Sequence, residues 1–274
     1  MGRQAFPIIL ATAASLGLGA GQLPAQGPTT EVQLSASVGL SWGGPLWIVA
    51  KQPALVSTTG PVLLDTFALA RRLAPGLTAW VGFTSFRRPQ VGFGAELAWV
   101  AAGVNTTCRI VGQLQPDPNQ ASAVACGNVG QQRVVTSAIT ALGTVTLRAA
   151  PRRDVSPYAR VGIGLALLSG SFVGTGADYA TAACPVCYRE FYAPDSRSFT
   201  WAGTLAAGLV FGGGLPLRFR VELRDLVLGL PTVSGPADPA SSHPMPPVRI
   251  QATHRVTVAM GLDLVNGGPR RRRY

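Results

Sequence analysis

The stretch that decides the fold is RIQATHRVTVAMGLDL, residues 249–264. Its even positions read Ile250, Ala252, His254, Val256, Val258, Met260, Leu262 and Leu264. Its odd positions read Arg249, Gln251, Thr253, Arg255, Thr257, Ala259, Gly261 and Asp263. Side chains on a strand alternate between two faces. One face of this segment is therefore oily and the other is polar, charged or small. The run is far longer than the usual strand of about 5–6 residues. It suits a tilted strand of about 9–11 residues that crosses a bilayer, with lipid on one side and a polar lumen on the other.

Seven further segments carry the same alternation: 32–42, 77–86, 91–99, 136–148, 159–167, 199–211 and 217–227. In the first, Val32, Leu34, Ala36, Val38, Leu40 and Trp42 alternate with Gln33, Ser35, Ser37, Gly39 and Ser41. The connections alternate in length. Long ones span 43–76, 103–131, 172–198 and 228–248; short ones lie near 87–90, 149–157 and 212–216. The expected fold is all-β: a closed, antiparallel, up-and-down transmembrane β-barrel of eight strands. Its four long loops would be extracellular and its short turns periplasmic, the asymmetry such barrels show. Residues 61–73 are ambiguous. Leu63, Leu64, Phe67, Ala70 and Leu73 have near-helical spacing after Pro61, which favours a short loop helix. The alternative is a ninth strand, with a tenth within 44–58.

The chain opens with one positive charge, Arg3, an apolar run from Phe6 to Leu18, and Leu23-Pro24-Ala25. This reads as a secretory signal over residues 1–25, followed by the barrel over 26–266 and a basic tail over 267–274. The net charge is +11, with Lys51 the only lysine among 23 basic residues. No basic stripe interleaved with aromatics accompanies that charge, and export argues against nucleic acid as a partner.

Four cysteines fall in two close pairs. In an exported chain the expectation is disulfides, Cys108–Cys126 and Cys184–Cys187, both in outer loops. A zinc site would need further ligands, and only His243 and His254 could add to them. No metal, cofactor or catalytic group is expected.

Under the eight-strand register Trp42, Trp99 and Trp201 face outward near the extracellular edge, and Phe83, Phe93, Phe211 and Phe219 near the periplasmic edge. These are the aromatic girdles of a membrane barrel. The inward parity collects charge: Glu96, Arg148, Arg160, Arg218, Arg220, Glu222, Arg224, Arg249, Arg255 and Asp263. Charges inside a narrow barrel must be paired or hydrated. Glu96, Glu222 and Asp263 are expected to be the acidic nodes of a network with Arg160, Arg218, Arg220, Arg224 and Arg255 that closes the lumen.

The fragments VGFGAELAW (91–99) and SPYARVGIGLALL (156–168) resemble strands of small bacterial outer-membrane β-barrel proteins, the kind whose membrane domains include OmpA and OmpX. The resemblance extends over nearly the whole chain after the signal, and rests on pattern and topology. One departure is that Tyr274, the terminal aromatic, lies beyond the Arg270 to Arg273 run. The resemblance implies residence in the bacterial outer membrane, contact with its lipids and lipopolysaccharide, and insertion by the barrel assembly machinery. It implies a structural or surface-interaction role without catalysis. Alternatives are a narrow anion-preferring pore, a secreted lipocalin-type binder, and an outer-membrane lipid-modifying enzyme. For the last, neither histidine has an acid at a telling spacing.

Overall fold

The computed structural model describes residues 30–56, 63–114, 116, 120–131, 133–151, 153–170, 172–174, 198–238 and 246–267. Ten strands and one helix follow in chain order. They are β1 (Glu31–Gly43), β2 (Pro45–Val56), β3 (Leu63–Leu73), β4 (Gly76–Arg88), β5 (Val91–Gln113), α1 (Ala121–Gln131), β6 (Arg133–Arg148), β7 (Val155–Ser169), β8 (Ser198–Phe211), β9 (Leu217–Val233) and β10 (Val248–Asn266). The segments 1–25 and 268–274 lie outside the described residues, as do Cys184, Cys187 and His243.

Eight strands close into an antiparallel barrel. The ring runs β1–β4–β5–β6–β7–β8–β9–β10 and returns to β1, sealed by the pairing of β10 with β1 from Val32↔Asn266 to Gly43↔Arg255. Each of the eight segments expected from alternation is a wall strand. The β8–β9 turn is tight because Gly212 and Gly214 both take φ of 90°, a conformation that other residues adopt with strain.

The wall is oily outside. On β10 Val256, Val258, Met260, Leu262 and Leu264 are exposed, while Arg255, Thr257, Ala259, Gly261 and Asp263 are buried. On β1 Leu34, Val38 and Leu40 are exposed, while Gln33, Ser35, Ser37 and Ser41 are buried. From Leu264 to Val256 the row spans about 27 Å along the strand, or about 20 Å along the axis at a tilt near 40°. Water would not tolerate a belt of this size, and a bilayer requires one. Trp42, Trp99 and Trp201 stand outward at its long-loop end. Phe83, Phe93 and Phe219 stand outward at its short-turn end, with half-buried Phe211 at 6.1 Å from Phe219.

Two expectations need correction. Residues 63–73 form a strand rather than a loop helix, yet the barrel does not gain strands. β2 and β3 make a hairpin outside the ring, docked on the long-loop extension of β5 through Leu73↔Val104 to Asp65↔Gln113. The alternation that defines β3 was obscured by charge. Its buried face is Asp65, Phe67, Leu69, Arg71 and Leu73, so two of the five inward residues are ionic. The helix lies instead at α1, between β5 and β6, and the Cys108–Cys126 disulfide ties it to β5.

Candidate functional site

The lumen is the place where chemistry-bearing side chains converge, and it has two unlike halves. In the half toward the short turns, guanidinium and carboxylate groups fill the space. Arg224 on β9 is central: it pairs with Glu96 of β5, its Nη2 donates to Glu96 at 3.0 Å, and its Nε donates to Glu222 at 2.7 Å. Arg160 of β7 donates to Glu96 Oε2 at 2.9 Å, the oxygen that also accepts from Arg224 Nη2. Arg220 lies 3.2 Å from Asp263 and donates to Ser37 at 3.2 Å. All six ionic side chains of these pairs are at most 3% exposed.

Strand parity explains how they meet. Arg218, Arg220, Glu222 and Arg224 occupy one face of β9, and Asp263 lies opposite Arg218 on β10. Small partners leave room for them. Glu222 is flanked by Gly208 and Ala259. A Cβ at Gly208 would come within 2.9 Å of the Tyr158 ring, whose hydroxyl donates to Glu222. Aromatic faces complete the shell: the Arg224 guanidinium lies 4.7 Å from the Trp80 ring centroid and that of Arg148 lies 3.5 Å from Phe86.

Several members escaped the sequence reading. Glu31 is a fourth acid, bonded to Arg148 at 2.6 Å and Arg218 at 3.1 Å. It lies one residue before the segment assigned to the first strand, on the inward parity. Tyr158 lies between the turn assigned to 149–157 and the strand assigned to 159–167, whereas β7 begins at Val155. Parity extended by a few residues would have found both.

Two arginines differ from expectation. Arg255 is buried but has no acid partner among the described residues. Its Nε donates to Ser41 at 2.9 Å and its Nη2 to the Ala74 carbonyl at 3.3 Å. Arg249 is exposed, because β10 there has risen above the closed ring.

The half toward the long loops is mainly apolar, with Gln52, Asp65 and Arg71 buried among its side chains. Val100, Ala102, Val104, Leu168, Leu226, Leu228 and Leu230 point inward from the wall and pack with Trp47, Val49, Phe67 and Leu69 of the hairpin and Val129 of α1. A polar lumen was expected throughout. The segment 226–231 has no polar side chain on either parity, so the alternation that marks a membrane strand is lost there.

The hairpin forms a roof across this end. The Trp47 indole donates to the Phe172 carbonyl, beyond β7, at 3.2 Å. The Gln52 amide donates to the Ala237 carbonyl at 3.1 Å, and the Ala237 N–H donates back to its Oε1 at 2.9 Å. β2 thus reaches from the β1–β4 side to segments following β7 and β9. Beneath α1, the Ser122 hydroxyl donates to buried Asp65.

A histidine–acid pair lies on the outer wall. His254 Nδ1 is 2.7 Å from Asp225 Oδ2, across the β9–β10 pairing, with His254 largely exposed. The partner is distant in sequence, which is why no telling spacing marked it. Among the described residues no group of three or more His, Cys, Asp or Glu could hold a metal ion.

No protein-family model and no curated protein sequence matches the chain. Among solved structures, it is similar to Neisserial surface protein A at 9% identity and a TM-score of 0.40, over 86% of this chain and 96% of that one. It is similar to Ail, the attachment invasion locus protein of Yersinia pestis, at 10% identity and a TM-score of 0.36, over 86% and 99%. It is similar to the outer membrane protease OmpT of Escherichia coli at 7% identity and a TM-score of 0.35, over 86% and 97%. Likeness this distant assigns no role.

Proposed function

We propose that the chain is an integral outer-membrane barrel with a structural or surface-interaction role, its lumen closed and its roof presented at the cell surface. The observation that carries this reading is the filled interior. Below, Arg224, Arg220 and Arg160 interlock with Glu96, Glu222 and Asp263; above, an apolar core is roofed by β2 and β3. The interior of an eight-stranded barrel is about wide enough for its own side chains or for one small ligand, and here side chains occupy it. The oily outer belt supports a wall set in lipid, and a secretory signal over 1–25 would take the chain there, with insertion by the barrel assembly machinery.

The reading is tested by conductance in planar bilayers. A closed barrel gives no sustained steps. Steady anion-selective steps would favour the second reading, a narrow pore. One observation supports that alternative: Arg148, Arg160, Arg218, Arg220, Arg224 and Arg255 outnumber Glu31, Glu96, Glu222 and Asp263 on the lumenal face.

A further inference from the structure

Among the described residues, the surplus positive charge of the lumen sits in two unlike places. Arg160 and Arg224 are matched by Glu96 and Glu222, and Arg220 by Asp263. Arg148 and Arg218 share Glu31, which leaves one positive charge at the short-turn mouth. The Glu31 side chain is 17% exposed, so water reaches that trio. The other surplus charge is Arg255, and it is enclosed, with 1% of the residue exposed.

Arg255 lies where the two halves of the lumen meet. On β10 it is opposite Gly43 of β1 and Leu226 of β9, and Leu226 belongs to the apolar core above. Its guanidinium is laid against the root of the hairpin. Nη2 donates to the Ala74 carbonyl at 3.3 Å, and a Cβ on Gly76 would come within 2.9 Å of that nitrogen. Nε donates to the Ser41 hydroxyl at 2.9 Å. That hydroxyl is fully used, since it also accepts from Thr78 at 3.1 Å and donates to the Gly76 carbonyl at 2.9 Å. Nη1 is buried and meets no hydrogen-bond acceptor. Arg224, one inward position lower on β9, has both its carboxylates within its own network.

A guanidinium keeps its proton, so Arg255 cannot shed its charge as a buried lysine does. A buried charge is costly unless a counter-charge and hydrogen bonds accompany it. Water would satisfy the spare N–H groups and leave the charge uncompensated. A monovalent anion supplies both, whereas a divalent one would reverse the imbalance inside an enclosed site.

We infer that Arg255 holds a small monovalent inorganic anion, of halide size, beneath the root of the roof. The ion is resident rather than permeant, so the inference rests on the closed-lumen reading. It fastens the hairpin indirectly: the anion holds Arg255, and Arg255 holds the Ala74 carbonyl.

The test uses the full protein in uncharged detergent micelles, with chloride replacing gluconate at constant ionic strength. The readout is hydrogen exchange at the Ala74 amide, which donates to the Gly103 carbonyl at the same root at 2.8 Å. With chloride at about ten times its dissociation constant, exchange should slow about tenfold. Bromide should act as chloride does, and sulfate should not. R255Q should exchange at one rate in chloride and gluconate, while R87Q/R88Q, at the opposite end, should keep the full response. Equal exchange of the unaltered protein in chloride and gluconate overturns the site, as does a chloride response that R255Q retains. Should R255Q fail to fold, crystals of the unaltered protein grown in bromide decide. An anomalous peak within hydrogen-bonding reach of Nη1 supports the site; a peak only beside Arg148 and Arg218, or none, overturns it. Conductance of the same protein in planar bilayers separates the two failures. No anion response and no conductance removes the ion alone, whereas steady anion-selective steps overturn the closed lumen and the resident ion with it.

Discussion

The two halves of the lumen solve one packing problem with opposite chemistry. Toward the short turns the wall crosses lipid, and the interior is a web of charge. Toward the long loops the wall stands clear of the belt, and the interior is a mainly apolar core. In the first half lipid already satisfies the outer face, so apolar burial gains little inside, and paired ions fill the space and fix the strands against one another. In the second half water surrounds the wall, so removing apolar surface from water stabilises the interior directly. Hydrophobicity therefore changes faces along single strands. β5 shows this within one element: Leu97 and Trp99 are exposed below, while Val100, Ala102 and Val104 are buried above.

The sharpest way to break the contrast is to remove an ionic node. Glu96→Gln takes the shared acid from both Arg160 and Arg224, and should lower unfolding stability in micelles by about 3–5 kcal/mol if the site is dry. A change below about 1 kcal/mol, as at exposed pairs, would mean that this half is wet. In the apolar half, Phe67→Ala should lower stability by about 3–5 kcal/mol through cavity formation. Its loss should appear as early proteolysis of the roof, while the wall keeps its heat-modifiable mobility on a gel. Coincident loss of roof and wall would show the halves to be one cooperative unit.

A charge on the belt probes the outside of the polar half. Val258→Arg should cost about 2–4 kcal/mol or block insertion, and the same change at exposed Val135, above the belt, should be mild. Equal insertion of both variants would place the belt elsewhere.

Smaller effects come from the roof's fastenings. Replacing Cys108 and Cys126 by serine frees α1 from β5 and should lower stability by at most about 3 kcal/mol on a chain-entropy estimate. The loss should appear as protease cleavage within 114–132 in the wall-intact protein. Gln52→Leu removes the paired contact to Ala237 and should cost about 1–3 kcal/mol, read as faster hydrogen exchange at Ala237.

The same contrast explains what could be read in the residues alone. Wherever lipid lies outside and charge inside, the period of two is unmistakable, and all eight wall strands were legible. The roof obeys a different rule. β3 buries Asp65 and Arg71 among its apolar residues, and its partners, β2 and the far end of β5, are chosen by tertiary contact rather than by the neighbouring turn. The segment 226–231 of β9 has no polar side chain on either parity, which resembles neither a membrane strand nor a loop. Glu31 and Tyr158 were missed through strand ends set a few residues short. The pairing of His254 with Asp225 depends on the β9–β10 register, which periodicity alone does not supply.

The reach of β2 also imposes an order of events. Its fastenings join residues 125 and 185 positions apart, Trp47 to Phe172 and Gln52 to Ala237. Contacts so distant in the chain form late, because the intervening segments must first be placed. The hairpin is made early, between β1 and β4, yet cannot settle until β7 and β9 have joined the wall. The underside of β2 and β3 is therefore expected to be covered last, an order that pulsed hydrogen exchange at Ala237 during refolding would read.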